Sequence, residues 1–358
     1  MINVLRRMGR ANAILCTATI VLALITNVPS SYATTYATEI RLKMADFFRL
    51  DSEHAWALVY NRSNKAFLFQ TSDGGANWTA FSTPFVLQHL FFIDSNIGWG
   101  IAQETDGQTF QTFCVRTSDS GRTWSRIGSL DNRNGKATGI AFDTDIHGWI
   151  VGESYMGTAF VYETTDAGEH WHKLDWNGEP ASGLYGVSLY AGTAFTWSAG
   201  AGGSGIFELR SGARPKRFSD LETINLFISG NSTLSASQSA VYQRTSTNGE
   251  WHQVLEAVKE TFWDMKFVDQ NHGCVVGGEV YCTSDGGKTW EARGVPHTAK
   301  GDHDYAYRLY LLDAQHGWAD GNDSIYETTD GAKSWSNVDF FSDDDKPLTH
   351  TRRIDDDK

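Results

Sequence analysis

Aspartate is the residue with the most chemical potential in this sequence, and it recurs in one short phrase. The phrase runs from a threonine through an aspartate and a glycine to a tryptophan, as in Thr71-Ser-Asp-Gly-Gly-Ala-Asn-Trp78. Five copies keep both key residues: Asp73 with Trp78, Asp119 with Trp124, Asp166 with Trp171, Asp285 with Trp290, and Asp330 with Trp335. A sixth copy, which ends at Trp251, lacks the aspartate.

A calcium loop needs several carboxylates, whereas each of these turns supplies a single aspartate. An aspartate in a turn accepts hydrogen bonds from backbone N–H groups two residues further on. The glycine supplies a positive φ that a side chain resists. The phrase therefore predicts structural turns, and we predict no metal site and no cofactor.

Catalytic constellations are missing from the sequence. There is no Gly-x-Ser-x-Gly elbow, no His-Glu-x-x-His and no phosphate loop. Glycosidases need two carboxylates that flank a sugar cleft, and the many acids offer no pair with a defensible geometry. We therefore predict no catalytic residue and a protein that is not an enzyme.

The elements that carry the phrase are predicted from its spacing. The interval between Trp171 and Trp251 has room for two units, with residues 210–218 in place of the lost phrase, which gives seven units. An apolar stretch before Gly-Trp, or before a relic such as Trp197, also occurs seven times. Each unit reads as four short alternating strands, so we predict an all-β fold, a seven-bladed β-propeller of four-stranded antiparallel blades over residues 44–341.

The tryptophan phrase resembles the Asp-box, or BNR repeat, of sialidases, sortilin-type receptors and related propellers. Paired with Phe-x-Asp and Gly-Trp in seven copies, it looks most like the photosystem II assembly and stability factor family and its bacterial relatives. The resemblance implies a binding or assembly scaffold. Sialidases carry an Arg-Ile-Pro phrase, three arginines and a Tyr–Glu pair, and this chain has no Arg-Ile-Pro phrase.

Both ends of the chain lie outside the predicted propeller. Residues 1–33 read as a signal peptide, with Arg6, Arg7 and Arg10 before an apolar run and Ser31-Tyr-Ala33 at the cleavage site; an uncleaved anchor is the alternative. Residues 34–43 are predicted as a linker and residues 342–358 as a disordered charged tail. The predicted location is secreted or periplasmic, without membrane insertion after cleavage.

The oxidising compartment implied by a signal peptide permits a disulfide between Cys274 and Cys282, which flank a Gly-Gly turn. Cys114 is expected to be a small buried residue. The formal net charge of −13 disfavours a nucleic-acid partner, because phosphates need a basic footprint.

Candidate binding residues lie at one mouth of the central channel, five positions before each Phe-x-Asp acid. They are Asp46, His89, Thr138, Asp264 and Arg308, with Tyr185 and Ile224 near the equivalent places in the degenerate units. Either Arg308 forms a structural ion-pair cluster with Asp264 and Asp46, or the group is a polar pocket for a carboxylate or peptide end.

A second candidate surface is the basic cluster of Arg210, Arg214, Lys216 and Arg217 in unit four, since the resembled family is known for a basic patch that docks a membrane-protein terminus. In the 302–305 link, a solvated loop is favoured over a weak metal site. The predicted function is an exported, monomeric, non-catalytic scaffold that binds a protein or peptide of the cell envelope. The alternatives are a glycoside hydrolase of the sialidase type and a structural surface-display propeller.

Overall fold

The computed structural model describes residues 43–176, 183–200, 203–230, 232–246, 249–257, 261–296, 306–321 and 324–353. Over these residues the chain is all-β and forms seven antiparallel sheets, each built from strands consecutive in sequence. The predicted seven-bladed propeller is therefore confirmed. The predicted signal peptide and all but the last residue of the linker lie outside the described residues, among which no helix is long and apolar enough to span a membrane.

Blades 1 to 4 each have four strands, from the first, inner strand to the fourth, outer one. Blade 1 comprises β1 (Lys43–Arg49), β2 (Ala55–Tyr60), β3 (Ala66–Thr71) and β4 (Thr79–Ser82). Blade 2 comprises β5 (Val86–Phe92), β6 (Gly98–Thr105), β7 (Phe110–Thr117) and β8 (Ser125–Ser129). Blade 3 comprises β9 (Lys136–Phe142), β10 (Gly148–Glu153), β11 (Ala159–Thr164) and β12 (His172–Lys173). Blade 4 comprises β13 (Gly186–Tyr190), β14 (Thr193–Ser198), β15 (Gly205–Leu209) and β16 (Lys216–Ser219).

Blades 5 to 7 continue the series, and the last has an additional strand. Blade 5 comprises β17 (Asn225–Ser229), β18 (Ser232–Ala236), β19 (Ala240–Arg244) and β20 (His252–Glu256). Blade 6 comprises β21 (Asp264–Phe267), β22 (Gly273–Val276), β23 (Val280–Thr283) and β24 (Glu291–Arg293). Blade 7 comprises β25 (Arg308–Leu311), β26 (Gly317–Asp320), β27 (Ile325–Thr328), β28 (Ser336–Phe341) and β29 (Pro347–Arg353).

The repeated phrase forms the turn between the third and fourth strands of a blade. In blade 6, the Asp285 carboxylate accepts the backbone N–H of Thr289 at 2.9 Å and its hydroxyl at 2.7 Å. The Thr283 hydroxyl donates to Asp285 at 2.9 Å and accepts the N–H of Gly287. The aspartate thus bonds four residues ahead rather than the predicted two, while Gly287 has the expected positive φ of 85°.

The core lies between blades, where tryptophans of the Gly-Trp phrase meet rings of the following blade. Trp56 stacks on Phe92 with ring centroids 3.7 Å apart, and Trp99 stacks on Phe142 at 3.8 Å. All four of these rings are essentially fully buried. Such stacked pairs add to the burial of apolar area and hold neighbouring sheets together.

The ring closes between blade 7 and blade 1, and the chain end reinforces this junction. Phe341 packs edge-on against Phe67 and Phe69 of β3. The strand β29 pairs with β28, and Thr349 of β29 accepts the backbone N–H of Trp78 in blade 1 at 2.9 Å. The expectation of a disordered tail from residue 342 is therefore wrong as far as residue 353, because the outer edge of β28 offers a backbone ladder that needs no apolar side chains.

The cysteines occupy two different environments. Cys274 and Cys282 lie directly opposite each other on β22 and β23 and are joined by a disulfide. Cys114 is a free thiol in the core between blades 2 and 3. Burial raises the pKa of the Cys114 thiol, so it stays protonated.

Candidate functional site

The predicted mouth residues lie where the inner strands begin, on the face opposite the Asp-box turns. We call this the mouth face, defined by Asp46, His89, Thr138, Asn225, Asp264 and Arg308. Each of these side chains reaches the following blade. Asp46 accepts the N–H of Leu90 at 2.7 Å, and Asp264 accepts the N–H of Leu309 at 3.0 Å.

The donors in the ring follow the same rule. Thr138 donates to the carbonyl of Leu184 at 2.7 Å, and Arg308 donates to the carbonyl of Ala45 at 3.3 Å. Asn225 donates to the Asp264 carboxylate at 2.5 Å, and His89 bonds the backbone of Ala137. These residues are therefore clamps between blades as well as lining of the mouth.

The predicted ion-pair cluster of Arg308 with Asp264 and Asp46 is not formed among the described residues. Asp264 pairs with Lys266 at 3.2 Å, and the Asp46 carboxylate lies 3.8 Å from the His89 ring nitrogen Nδ1. Asp264 is buried and bonded on both oxygens to backbone and to Asn225, so its charge is used within the fold.

A pocket of about 530 Å³ opens at the mouth beside blades 1, 2, 3 and 7. Four of its lining residues carry basic side chains: Lys43, His89, Lys136 and Arg308. Polar groups of Gln88, Gln103, Asn64, Asn134 and Tyr60 complete much of the wall. None of the described residues that line this basic mouth pocket is Asp or Glu, although the whole chain has a net charge of −13.

His89 lines the basic mouth pocket, and the Asp46 carboxylate, which is not part of the lining, lies 3.8 Å from the His89 Nδ1. Burial lowers the pKa of His89, and the nearby charges of Arg308 and Lys136 act in the same direction, against the attraction of Asp46. Burial also raises the pKa of Asp46, against the opposing influence of His89 and the bond from Leu90. Burial therefore disfavours the charged form of each group.

Exposed aromatic rings rim the same face. Trp263 is 45% exposed and Tyr307 is 36% exposed, and their rings meet edge-on at 5.8 Å. Phe110, which lines the pocket, is 51% exposed. The predicted mouth residue Tyr185 is 52% exposed, and its backbone bonds Trp197 within its own blade. Large exposed aromatics next to basic groups are typical of protein-binding surfaces.

Several of these residues were missed from the sequence. Lys43 and Lys136 begin the inner strands β1 and β9, and Phe110 begins the third strand β7; none of the three belongs to either repeated phrase. Trp263 and Tyr307 immediately precede Asp264 and Arg308. This adjacency is the signal that would have found them, since it places an aromatic ring beside these two predicted mouth residues.

Comparison with known proteins supports the resemblance drawn from the repeats. The family model for the photosynthesis system II assembly factor YCF48 matches residues 243–345. This chain is a BNR-type propeller related to that assembly factor. A search of curated protein sequences finds no match.

Solved structures share the fold of this BNR-type propeller. A structure described as YCF48 bound to D1 peptide is 19% identical, with a TM-score of 0.57, over 81% of this chain and 94% of that chain. YCF48 from Cyanidioschyzon merolae is 15% identical, with a TM-score of 0.54, over 80% of this chain and 98% of that chain. The GH74 enzyme of Niastella koreensis is 14% identical, with a TM-score of 0.57, over 83% of this chain and 53% of that chain. At these identities the likeness shows the fold alone.

The second predicted surface, the basic cluster of blade 4, is locally paired with acids. Arg210 pairs with Glu208 at 2.8 Å, Arg214 with Asp175 at 3.0 Å, and Arg217 with Asp220 at 3.0 Å. The guanidinium of Arg217 also lies over the Phe207 ring at 4.8 Å. An anionic ligand would have to compete with these carboxylates, so the basic mouth pocket is the stronger candidate.

The metal-site predictions have different outcomes. Residues 302–305 lie outside the described residues. On the Asp-box turn of blade 3, Asp166, Glu169 and His170 bring potential ligand atoms within 4.8 Å of one another. His170 already bonds the Asp166 carboxylate at 2.7 Å, as part of the same turn network seen in the other blades.

Proposed function

We propose that this propeller is an exported, non-catalytic scaffold of the cell envelope that binds a protein partner at its mouth face. The ligand that fits best is a peptide segment with an acidic side chain or a free terminal carboxylate. The observation that carries the proposal is the basic mouth pocket, where Lys43, Lys136 and Arg308 face a cavity whose described lining has no acid.

The geometry supports recognition of an extended segment. A carboxylate in the pocket is within the field of two lysines and a guanidinium, while Gln and Asn side chains offer hydrogen bonds to a peptide backbone. The Trp263 and Tyr307 rings, which meet on the same face just before Asp264 and the pocket-lining Arg308 in the sequence, provide apolar area for the residues that precede the carboxylate. YCF48, to which this chain is related, has been solved with a bound D1 peptide, and this favours a peptide over a sugar.

The direct test uses fluorescein-labelled octapeptides that end in a free carboxylate, each with an amidated twin. We expect the free-acid peptides to bind more tightly, and the difference to shrink as salt is raised. The double variant Lys43→Ala/Lys136→Ala should raise the Kd at least tenfold. The matched control, Lys173→Ala/Lys288→Ala, removes the same charge from exposed positions elsewhere and should leave the Kd unchanged.

Equal binding of the acids and their amidated twins would refute carboxylate recognition. Equal effects of the two double variants would refute this pocket as the site. Turnover of a sialoside or a polysaccharide by the pure protein would overturn the non-catalytic part. Export is tested separately, because mass spectrometry of the mature protein should find its N-terminus near Thr34.

A further inference from the structure

A second cavity, of about 170 Å³, lies on the Asp-box face between blades 6 and 7. The disulfide of Cys274 and Cys282 forms one wall, and Leu311 and Gly331 of blade 7 face it. The exposed residues Gln315, His316 and Lys333 also line the cavity, which is open to solvent. We call this the interblade cavity.

The cavity exists because blade 6 lacks the tryptophan of its sister blades. In blade 2, Gly98 pairs with Phe92 and is followed by Trp99; in blade 6, Gly273 pairs with Phe267 and is followed by Cys274. The sister positions hold buried indoles, namely Trp56, Trp99, Trp149 and Trp318. Cys274 is far smaller, and its side chain is turned into the disulfide, so the space that an indole occupies elsewhere stays open here.

The floor of the interblade cavity matches the place on which indoles stack in other blades. Trp56 stacks on Phe92, which pairs with the glycine of the next blade, and Trp99 stacks on Phe142, which does the same. The residue that pairs with the glycine of blade 7 is Leu311, and it lines the cavity. An apolar floor is therefore in place for a flat ring.

Two of the four sister indoles also have a hydrogen-bond acceptor in the following blade, whereas the N–H groups of Trp149 and Trp318 have no partner among the described residues. The indole N–H of Trp56 donates to the carbonyl of Ser120 at 2.9 Å, and that of Trp99 donates to Ala167 at 2.8 Å. Both acceptors are the fourth residue of the Asp-box phrase. Blade 5 has Leu234 in place of the tryptophan, and there the side-chain amide of Gln243 donates to the equivalent carbonyl, that of Gly286, at 2.8 Å.

The matching residue in blade 7 is Gly331, which lines the cavity. Among the residues that the structure describes, no side chain donates to its carbonyl. Arg293 also lines the cavity; its Nη2 pairs with Glu291 at 2.9 Å, while its buried Nε has no partner among the described residues. A guanidinium beside an aromatic ring adds a favourable contact.

We propose that the interblade cavity binds an indole ring, presented as a tryptophan side chain by a partner polypeptide. The ring rests on Leu311, and its N–H donates to the carbonyl of Gly331. The volume of about 170 Å³ is on the scale of an apolar protein cavity of about 150 Å³ that binds benzene, and the cavity is open to solvent, so the larger indole ring need not be fully enclosed. A polypeptide source is favoured because the sister blades fill the equivalent space with an indole that a chain presents.

The experiment titrates the whole mature protein with N-acetyl-tryptophanamide and with its 1-methyl analogue, followed by NMR. We expect saturable binding of the first compound, with intermolecular NOEs from the indole ring to the methyl groups of Leu311. The methylated ring cannot donate to Gly331 and should bind about fivefold more weakly, which corresponds to about 1 kcal/mol for one net hydrogen bond.

Two variants separate filling of the cavity from loss of the disulfide. Cys274→Trp/Cys282→Ala restores the Gly-Trp phrase of the sister blades and should abolish binding. Cys274→Ala/Cys282→Ala also breaks the disulfide but leaves the cavity open, so binding should persist. The proposal would be overturned if N-acetyl-tryptophanamide showed no saturable binding, or if it still bound after the tryptophan substitution. It would also be overturned if the bound indole gave no NOEs to Leu311, or if free indole bound but N-acetyl-tryptophanamide did not.

Discussion

The two faces of this propeller use the same seven-fold spacing in different ways. On the Asp-box face, residue types repeat: aspartates such as Asp119 and Asp285 accept the same bonds from the residue four places ahead. On the mouth face, only the position repeats, and it is filled by acids, bases and neutral polar residues such as Asp46, His89 and Asn225.

This difference distinguishes residues that build the fold from a surface whose residues can determine which ligand binds. A repeated residue type satisfies a repeated local geometry, so it carries no information about a ligand. A repeated position with varied residues still clamps the next blade, as Asp46 and Arg308 do, but it presents a different chemistry to solvent in each blade. In blades 2 and 7 this position is filled by His89 and Arg308, and they line the basic mouth pocket together with Lys43 and Lys136.

The most direct test of this difference between the faces is to truncate one buried and one exposed tryptophan and to compare the losses in the free energy of unfolding. Trp99→Ala removes a fully buried ring that stacks on Phe142 and bonds Ala167, so the free energy of unfolding should fall by about 3–5 kcal/mol. Trp263→Ala at the mouth face removes a ring that is 45% exposed and should change it by less than about 1 kcal/mol. Urea denaturation of both variants gives the two values. Similar losses would contradict the division between the faces.

The chain end offers the next largest effect. A variant that stops at Ser342 loses the ladder between β28 and β29 and the bond from Trp78 to Thr349. At about 1 kcal/mol for each net hydrogen bond, the free energy of unfolding should fall by at least about 2 kcal/mol. A control that stops at Arg353 keeps the whole of β29 and should melt like the parent. If both truncated proteins melted alike, β29 would have no part in closing the ring.

The sequence predicted the fold well where local chemistry repeats. The phrases around Trp78 and Trp335 contain every residue that makes the main hydrogen bonds of their turns, so these turns need no distant partner. Blade count and strand order follow from such local signals. The tail was predicted wrongly because β29 pairs with the free edge of β28, and the sequence of residues 343–353 does not indicate that such an edge is available.

The degenerate blades show why the site was only partly predictable. Counting back from the repeat suggested Ile224 in blade 5, but Phe227 pairs with Leu234 as Phe48 pairs with Trp56, which puts Asn225 in the clamp position. In blade 4, Trp197 looked like a Gly-Trp relic. It pairs with Gly186, and Ala194 lies opposite Leu209 in the place that the tryptophan takes elsewhere. The shift of one residue in blade 5 and that of three residues in blade 4 follow from hairpin length and bulges, which the pattern alone does not fix.

A smaller effect is expected from one Asp-box carboxylate. Asp285→Ala removes an acceptor of bonds from Thr283 and Thr289 and should lower the free energy of unfolding by about 1–2 kcal/mol. A mouth-face lysine such as Lys43, which has no such role in a turn, gives the control. Differential scanning fluorimetry of Asp285→Ala and Lys43→Ala compares the faces directly. Equal shifts in Tm would contradict the assignment of Asp285 to the fold.

The same carboxylates predict how stability depends on pH. The bonds from the Thr289 backbone and hydroxyl lower the pKa of Asp285 to about 2, and those from Ser334 lower the pKa of Asp330 to about 2. Because these folded-state values lie below the unfolded value of about 4, the stabilisation is complete above pH 4 and is lost as the pH falls towards 2. Acid titration of Asp285→Ala should show a shallower loss of stability over this window than the parent does.

The smallest effect on stability, and the sharpest contrast between the faces, is expected from Lys136→Ala. Lys136 is exposed and lines the basic mouth pocket. Its removal should change the free energy of unfolding by less than about 0.5 kcal/mol. Loss of one cation from a solvated anion site should nevertheless weaken a free-acid peptide about fivefold, equivalent to about 1 kcal/mol, and the loss should fade at high salt. Anisotropy titrations at two salt concentrations measure it, with Lys173→Ala as the matched control. If Lys136→Ala instead destabilised the protein while binding held, the mouth face would be built like the Asp-box face, and its charge would serve the fold.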